Sequence, residues 1–453
     1  MQVPVLAFGG WADNYMNTVV HLVENLPGAK GIVGPWGHQY PHTAVPGPQI
    51  GFLQLALRWW DRWLKGARNG AESDPAYRVY MLDSAAPDAS AKHRAGHWMA
   101  EAVWPSARLR REVLQLGAAE PRLEGFTPPG ASAGYLGTGD GGALQVTVST
   151  PQHLGMRTGE FFPMGLNAEM PGDQRSDDAV SLCFDGAVLN APLDLLGAAR
   201  LNLRLASDKP LAFVVARLCD VGPDGAGVRI AHGMRNLCHR SLKEGGDSMQ
   251  SPVPMVPGVE VVVSFDLDQM ACRLAEGHRL RLALSTTYWP FVWPSPEAAT
   301  LTITGGSLEL PLYQGPGDAW VPPPSEGANP WKHRVLRYGT VARRIETDLL
   351  TGRHALVCEE DGGDILNLGH GLVSGETMHE RWEVCAEDPL SARAVHVWEQ
   401  RLSRGDWAVR TRAEAEMTAT ATHLRMVARL TAWEGDAVIF ERQFDDEVAR
   451  QFV

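Results

Sequence analysis

The chain has 453 residues, 44% of them hydrophobic and 21% charged, with a formal net charge of −12. These proportions describe a soluble globular protein of two to four domains and exclude a disordered chain. The acidic balance argues against a nucleic acid or an anionic membrane as partner, since either would need a clustered positive surface.

The chain opens with "VPVLAFGG" (residues 3–10), an apolar run that predicts a buried strand entering a tight Gly-Gly turn and delivering Trp11 and Asp13. "NYMNTVVHLVENLPG" is helical in spacing and is stopped by Pro27 and Gly28. "AKGIVGPWGH" predicts a second short strand running into a loop. In "PQIGFLQLALRWWDRWLKG", Ile50, Leu53, Leu57, Trp60 and Leu64 follow 3-4-3-4 spacing, which predicts a helix with one apolar stripe. Pro48 near its start and Gly66 just past its end are the expected punctuation. Strands and helices in alternation, with unbroken apolar strands, predict a parallel sheet covered on both faces, an α/β unit over residues 1–68.

From about residue 75 to 316 the period becomes two. "LNLRLAS", "VEVVVSFDL", "RLRLALS", "TLTITGG" and "SLELPLY" alternate between Gly, Pro and Asp turns without intervening helices, which predicts an antiparallel sandwich over 69–316. "QGPGDAWVPPPSEGANP" is the clearest linker and opens a third unit, 317–453. There "HLRMVARLTAW" and "AVIFERQF" predict long, half-buried antiparallel strands, with turns expected at "EDGGD", "SRGDW" and "WEGDA". No apolar run reaches the ~18–20 residues that cross a bilayer, and no secretory leader pattern is visible, so the cytoplasm is the expected location. Cys183, Cys219, Cys238, Cys272, Cys358 and Cys385 have no CxxC spacing and are expected as buried thiols, not as disulfides or a zinc site.

Asp13 follows the first strand and His38 the second. One crossover helix lies between them, so both leave the sheet at its carboxyl edge, where open α/β sheets build their sites. A carboxylate and an imidazole there suit an orienting acid and a general base, two members of a Ser–His–Asp triad. The plainer alternative makes Asp13 a helix cap and His38 a loop histidine packed on Trp36.

"GGWADNYMNT" followed by "GPWGHQYPH", a helix ending "RWWDRWLKG" and then a β-sandwich closely resemble hydrolases of the X-prolyl dipeptidyl-peptidase and cocaine-esterase type, the CocE/NonD family. The resemblance implies that Asp13 is the triad aspartate and His38 the triad histidine. It also implies that residues 1–68 are the incomplete C-terminal part of an α/β-hydrolase sheet and that the sandwich is a jelly roll, galactose-binding-like in architecture. "STTYWPFVWPSP" (285–296) resembles a family loop near the catalytic cleft. No metal or organic cofactor is implied, and the substrate would be an ester, an amide or an X-Pro peptide.

One member is missing. In this family the nucleophile precedes the acid and the histidine, on a G-x-S-x-G elbow. The only such string here, "GASAG" with Ser132, follows the histidine and lacks the strand and helix of an elbow. The expectation is a chain lacking its nucleophile-bearing N-terminal half, inactive alone, whose partners are its substrate and either that half or a second copy. A non-catalytic β-sandwich binding protein with a degenerate hydrolase remnant is the alternative.

Other candidates are weaker. His38 and His42, and His93 and His97, have i, i+4 spacing without the glutamate of a zinc motif. "HGMRNLCH" (232–239) suggests structural histidines, and "GTGDGG" lacks the lysine and helix of a phosphate loop. Trp11, Trp36, Tyr40, Tyr288, Trp289 and Trp293 lie in predicted loops. They are expected either to pack between domains or to wall an apolar acyl or prolyl pocket.

Overall fold

Strand β1 (Leu6–Gly10) runs parallel to β2 (Lys30–Gly34), with Ala7 opposite Gly31 and Gly9 opposite Val33. The structure is a computed structural model that describes residues 3–118, 134–139, 143–164, 167–240 and 251–453. Helix α1 (Met16–Asn25) crosses between the strands and buries Val19, Val20 and Val23. It lies so close to the sheet that a Cβ on Gly31 would come within 2.8 Å of both Val19 and Val23. Helix α2 (Phe52–Lys65) ends on Gly66 in the left-handed conformation, φ 74°, which glycine adopts without a Cβ clash. Strand β3 (Tyr77–Asp83) continues the parallel sheet beside β2, Val33 opposite Val79. The parallel sheet therefore runs past the boundary expected at residue 68.

Helix α2 is where the spacing puts it, but its faces are the reverse of the expectation. Leu55, Ala56 and Trp59 are buried, whereas Leu53, Leu57, Trp60 and Leu64 are exposed, Leu64 to 80%. Of the expected stripe only Ile50, which precedes the helix, is buried. The helix carries apolar side chains around most of its circumference, so periodicity alone does not tell inside from outside. Among the described strands β1 pairs only with β2, and its other edge is open.

Beyond β3 the chain is almost all antiparallel. Leu193–Ser207 pairs with Val261–Leu274 on one side and Leu301–Tyr313 on the other, while Phe213–Val221 pairs with Gly227–Asn236 and Arg279–Ser285. Inward residues of both groups, among them Leu201, Leu203, Val214, Leu218, Leu282 and Leu308, meet in one core. This sandwich joins the parallel sheet through β3, whose Leu82 and Asp83 pair with Cys272 and Arg273. Five of the six cysteines are buried and Cys385 is half-buried, all of them free.

The last 120 or so residues form an eight-stranded sheet, an up-and-down meander from Arg353–Asn367 to Ala437–Ala449 with two short strands against its first member. Turns fall at Gly405 and Gly435, both at positive φ, as read from "SRGDW" and "WEGDA". "EDGGD" is no turn. It lies inside Arg353–Asn367, where the register shifts between Asp361 and Asp364 and makes a bulge.

This sheet rests on the sandwich through Trp382 against Trp289, through an Arg343–Glu160 ion pair, and through His153 stacked on His354 with ring centroids 3.8 Å apart. Burial, and then the neighbouring His354, lowers the His153 imidazole to about 4, and burial lowers His354 as well. The unfolded chain takes up these protons first, near pH 6.5, so the stability they contribute is present above that pH and is lost as pH falls toward 4. Thermal melts from pH 7.5 down to 5 are expected to lose roughly 2 kcal/mol of stability, most of it removed by His153→Phe.

Candidate active site

Of the two glycines that end β1, Gly9 makes room for helix α1, where a Cβ would come within 2.8 Å of Val19, and Gly10 serves the turn that follows. A Cβ on Gly10 would sit 1.9 Å from the Trp36 carbonyl oxygen, so only glycine lets the loops after β1 and β2 meet. They are stitched together by Trp11 N–H to the Gly34 carbonyl, 2.8 Å, and Ala12 N–H to the Trp36 carbonyl, 3.0 Å. The Trp11 indole N–H donates to the Tyr80 carbonyl on β3. Gly10→Ala is expected to lower stability by about 2–4 kcal/mol in thermal denaturation, while Gly327→Ala, in open space, changes little.

This stitching brings Asp13 and His38 together. The His38 Nδ1 lies 3.1 Å from one Asp13 carboxylate oxygen and 3.3 Å from the other. Asp13 is 7% exposed, and its Oδ1 also accepts the Tyr15 N–H at the start of α1. Tyr15 is the N-cap of α1 and no side chain caps the helix, so Asp13 makes a local turn before the helix beside its imidazole contact and is not the helix cap. The His38 backbone N–H donates to the Pro163 carbonyl, and its ring lies on Phe162 with centroids 4.0 Å apart, rather than on Trp36. The His38 Nε2 hydrogen-bonds to no described residue, and the side chain is 40% exposed. An imidazole held at Nδ1 and open at Nε2 can accept a proton at the open nitrogen while the carboxylate stabilises the resulting charge.

Behind Asp13, where the parallel sheet meets the sandwich, lies a cavity of about 340 Å³ lined by Trp11, Asp13, Arg94, Phe161, His232 and Asp268 among others. His232, expected as structural, meets Asp268, which the sequence does not single out and which lies within the register irregularity between Asp266 and Gln269. The His232 Nδ1 is 2.5 Å from the Asp268 carboxylate, which also accepts the Asn17 amide. Burial, and then the charge of Arg229, push the His232 imidazole below its ordinary range. Burial alone would raise Asp268, but His232 and Asn17 hold it low. A neutral imidazole donating to an ionised carboxylate satisfies both directions.

Of the six aromatic residues read as pocket walls, only Trp11 lines this cavity. Trp36, Tyr288 and Trp289 are fully buried and act as packing. The Trp36 indole donates to the Pro48 carbonyl and its rings lie near Trp98, while Trp289 packs on Trp293. Tyr40 is exposed beside His42 and Phe52. Phe162, which the sequence did not single out, is the aromatic ring against His38. Ser132 lies outside the described residues, and no metal-binding cluster occurs among those described.

Residues 69–346 match the family model described as the X-Pro dipeptidyl-peptidase C-terminal non-catalytic domain. The chain belongs to the X-Pro dipeptidyl-peptidase and CocE family. Residues 1–40, which contain Asp13 and His38, match the model of the X-Pro dipeptidyl-peptidase S15 family. A cocaine esterase of Rhodococcus is 23% identical over 319 residues, covering 64% of this chain and 50% of the relative. A Mycobacterium bovis protein carrying a serine-esterase name is 24% identical over 301 residues, 62% of this chain and 44% of its own. The chain thus spans about half the length of the curated relatives it matches. Among solved structures, a CocE/NonD family hydrolase from Staphylococcus aureus shares the fold at a TM-score of 0.50 and 12% identity, over 69% of this chain and 55% of the other.

Proposed function

We propose that Asp13 and His38 are the orienting acid and the general base of a serine hydrolase that cleaves an ester or amide bond, X-Pro peptides included. The observation that carries this reading is the His38 Nδ1 contact with Asp13 at the carboxyl ends of two parallel strands, with Nε2 left open. A serine hydroxyl beside Nε2 would pass its proton there as its oxygen attacks the carbonyl, and Asp13 would stabilise the imidazolium. His38 would then return the proton to the leaving group, and water would release the acyl group by the same route. No metal or organic cofactor is needed for these steps.

The serine belongs on a strand–turn–helix elbow in the same parallel sheet. The open edge of β1 and the exposed apolar face of α2 support a further α/β segment seated against them. In this reading the sandwich is a jelly roll that closes one side of the site. The test joins the chain to the serine-bearing half of a CocE-type relative and follows p-nitrophenyl ester release. Turnover that His38→Ala abolishes is the expected result; turnover indifferent to His38→Ala overturns the assignment.

A further inference from the structure

The strand Ala437–Ala449 ends the C-terminal sheet. It pairs with His423–Glu434 on one side, no described strand lies on the other, and all 13 of its residues are exposed, against the half-buried strand expected from its sequence. It contains no proline, and its one bulge, at Ile439, lies before the regular stretch from Phe440 onward. Its two faces differ. On one, Glu441 pairs with Arg429 and Asp445 with Arg425 on the neighbouring strand. The other carries Phe440, Arg442, Phe444, Asp446 and Val448, and there neither charge has an ion-pair partner among the described residues. Arg442 instead lies over the Phe444 ring at 4.6 Å.

We propose that two copies of this chain join edge to edge through this strand, antiparallel, about a two-fold axis at Phe444. In that register Phe444 meets its own copy, Arg442 faces Asp446 of the second chain twice over, and Phe440 faces Val448 twice over. Both unpaired charges are satisfied and the apolar residues meet one another, as stable cross-strand pairs require. The neighbouring registers fail. An axis at Gln443 sets Glu441 against Asp445 and Phe440 against Asp446, an axis at Arg442 sets two arginines together, and an axis at Asp445 sets two aspartates together. The chosen register leaves one kind of like-charge contact, Glu441 with Glu447, also made twice, and Glu441 already has Arg429 beside it. The pairing is isologous, so it closes as a dimer and does not propagate.

Sedimentation velocity on the full chain is expected to show a dimer at micromolar concentration. Arg442→Asp and Asp446→Arg each place like charges at both contacts and are expected to raise the dissociation constant about tenfold or more. The double variant R442D/D446R restores it, and mixing the two single variants re-forms a dimer because each then supplies the charge the other lacks. A monomeric native chain, or a dimer indifferent to these variants, overturns the proposal. Should a single variant fail to fold by circular dichroism, Phe444→Cys keeps the test. It is expected to cross-link two copies on oxidation where Gln443→Cys does not, and equal cross-linking by both, or by neither, also overturns it.

Discussion

Asp13→Asn, made in a polypeptide that joins this chain to a serine elbow, is expected to lower kcat on the order of 10⁴-fold while the melting temperature hardly moves. The carboxylate at 3.1 Å from Nδ1 accepts the Nδ1–H hydrogen bond and so fixes the imidazole with Nε2 unprotonated, ready to act as base. An asparagine amide turned to donate to Nδ1 would leave the proton on Nε2, and the base would be lost. The second duty of Asp13, accepting the Tyr15 N–H at 3.0 Å, survives, because an asparagine side-chain oxygen closes the same turn as an aspartate's. The substitution therefore separates chemistry from folding. Steady-state kinetics beside a thermal melt reads both, and a large loss of stability with kcat retained would make Asp13 a turn-forming residue and nothing more.

The 453 residues alone are expected to leave p-nitrophenyl butyrate and an X-Pro-p-nitroanilide at the buffer rate. A base and its orienting acid accelerate a proton transfer only when a nucleophile stands at hydrogen-bond distance, and the covalent step supplies the path that transfer serves. His38 Nε2 contacts no described hydroxyl. The G-x-S-x-G string that does occur lies after the histidine, and the described residues that follow it form a strand, Gly134–Gly137, where an elbow would need a helix. Turnover above background that Ser132→Ala removed would relocate the nucleophile and overturn this expectation. Turnover that survived Ser132→Ala would also contradict it.

Much of the site was legible because it is local. The strand that ends in two glycines, the turn that follows it at Trp11 and the spacing from Asp13 to His38 are set by residues within one strand–helix–strand unit. The glycines themselves lie in the strand and not in the turn expected of them. What the sequence hid came from far along the chain. Phe162, which backs His38, and Asp268, bonded to His232 and Asn17, reach the first unit only through the sandwich fold. The buried face of α2 was misread because Leu55 and Trp59 compete with Leu53, Leu57 and Trp60 on one helix, and tertiary contacts decide between them. The third parallel strand was assigned to the sandwich because its composition suits either sheet, and only pairing with Gly31 and Val33 distinguishes the two. The bulge at Gly362 and Gly363 read as a turn because glycine pairs serve both.

The most direct measurement is a two-bond proton–nitrogen correlation spectrum of the histidine rings, recorded on this chain at a pH where His38 is neutral and assigned with His38→Gln. A proton resident on Nδ1 with Nε2 bare, and a shift of that proton toward Nε2 in Asp13→Asn, is the predicted result. A ring protonated at Nε2 in the native chain, or one whose tautomer ignores Asp13→Asn, would contradict it.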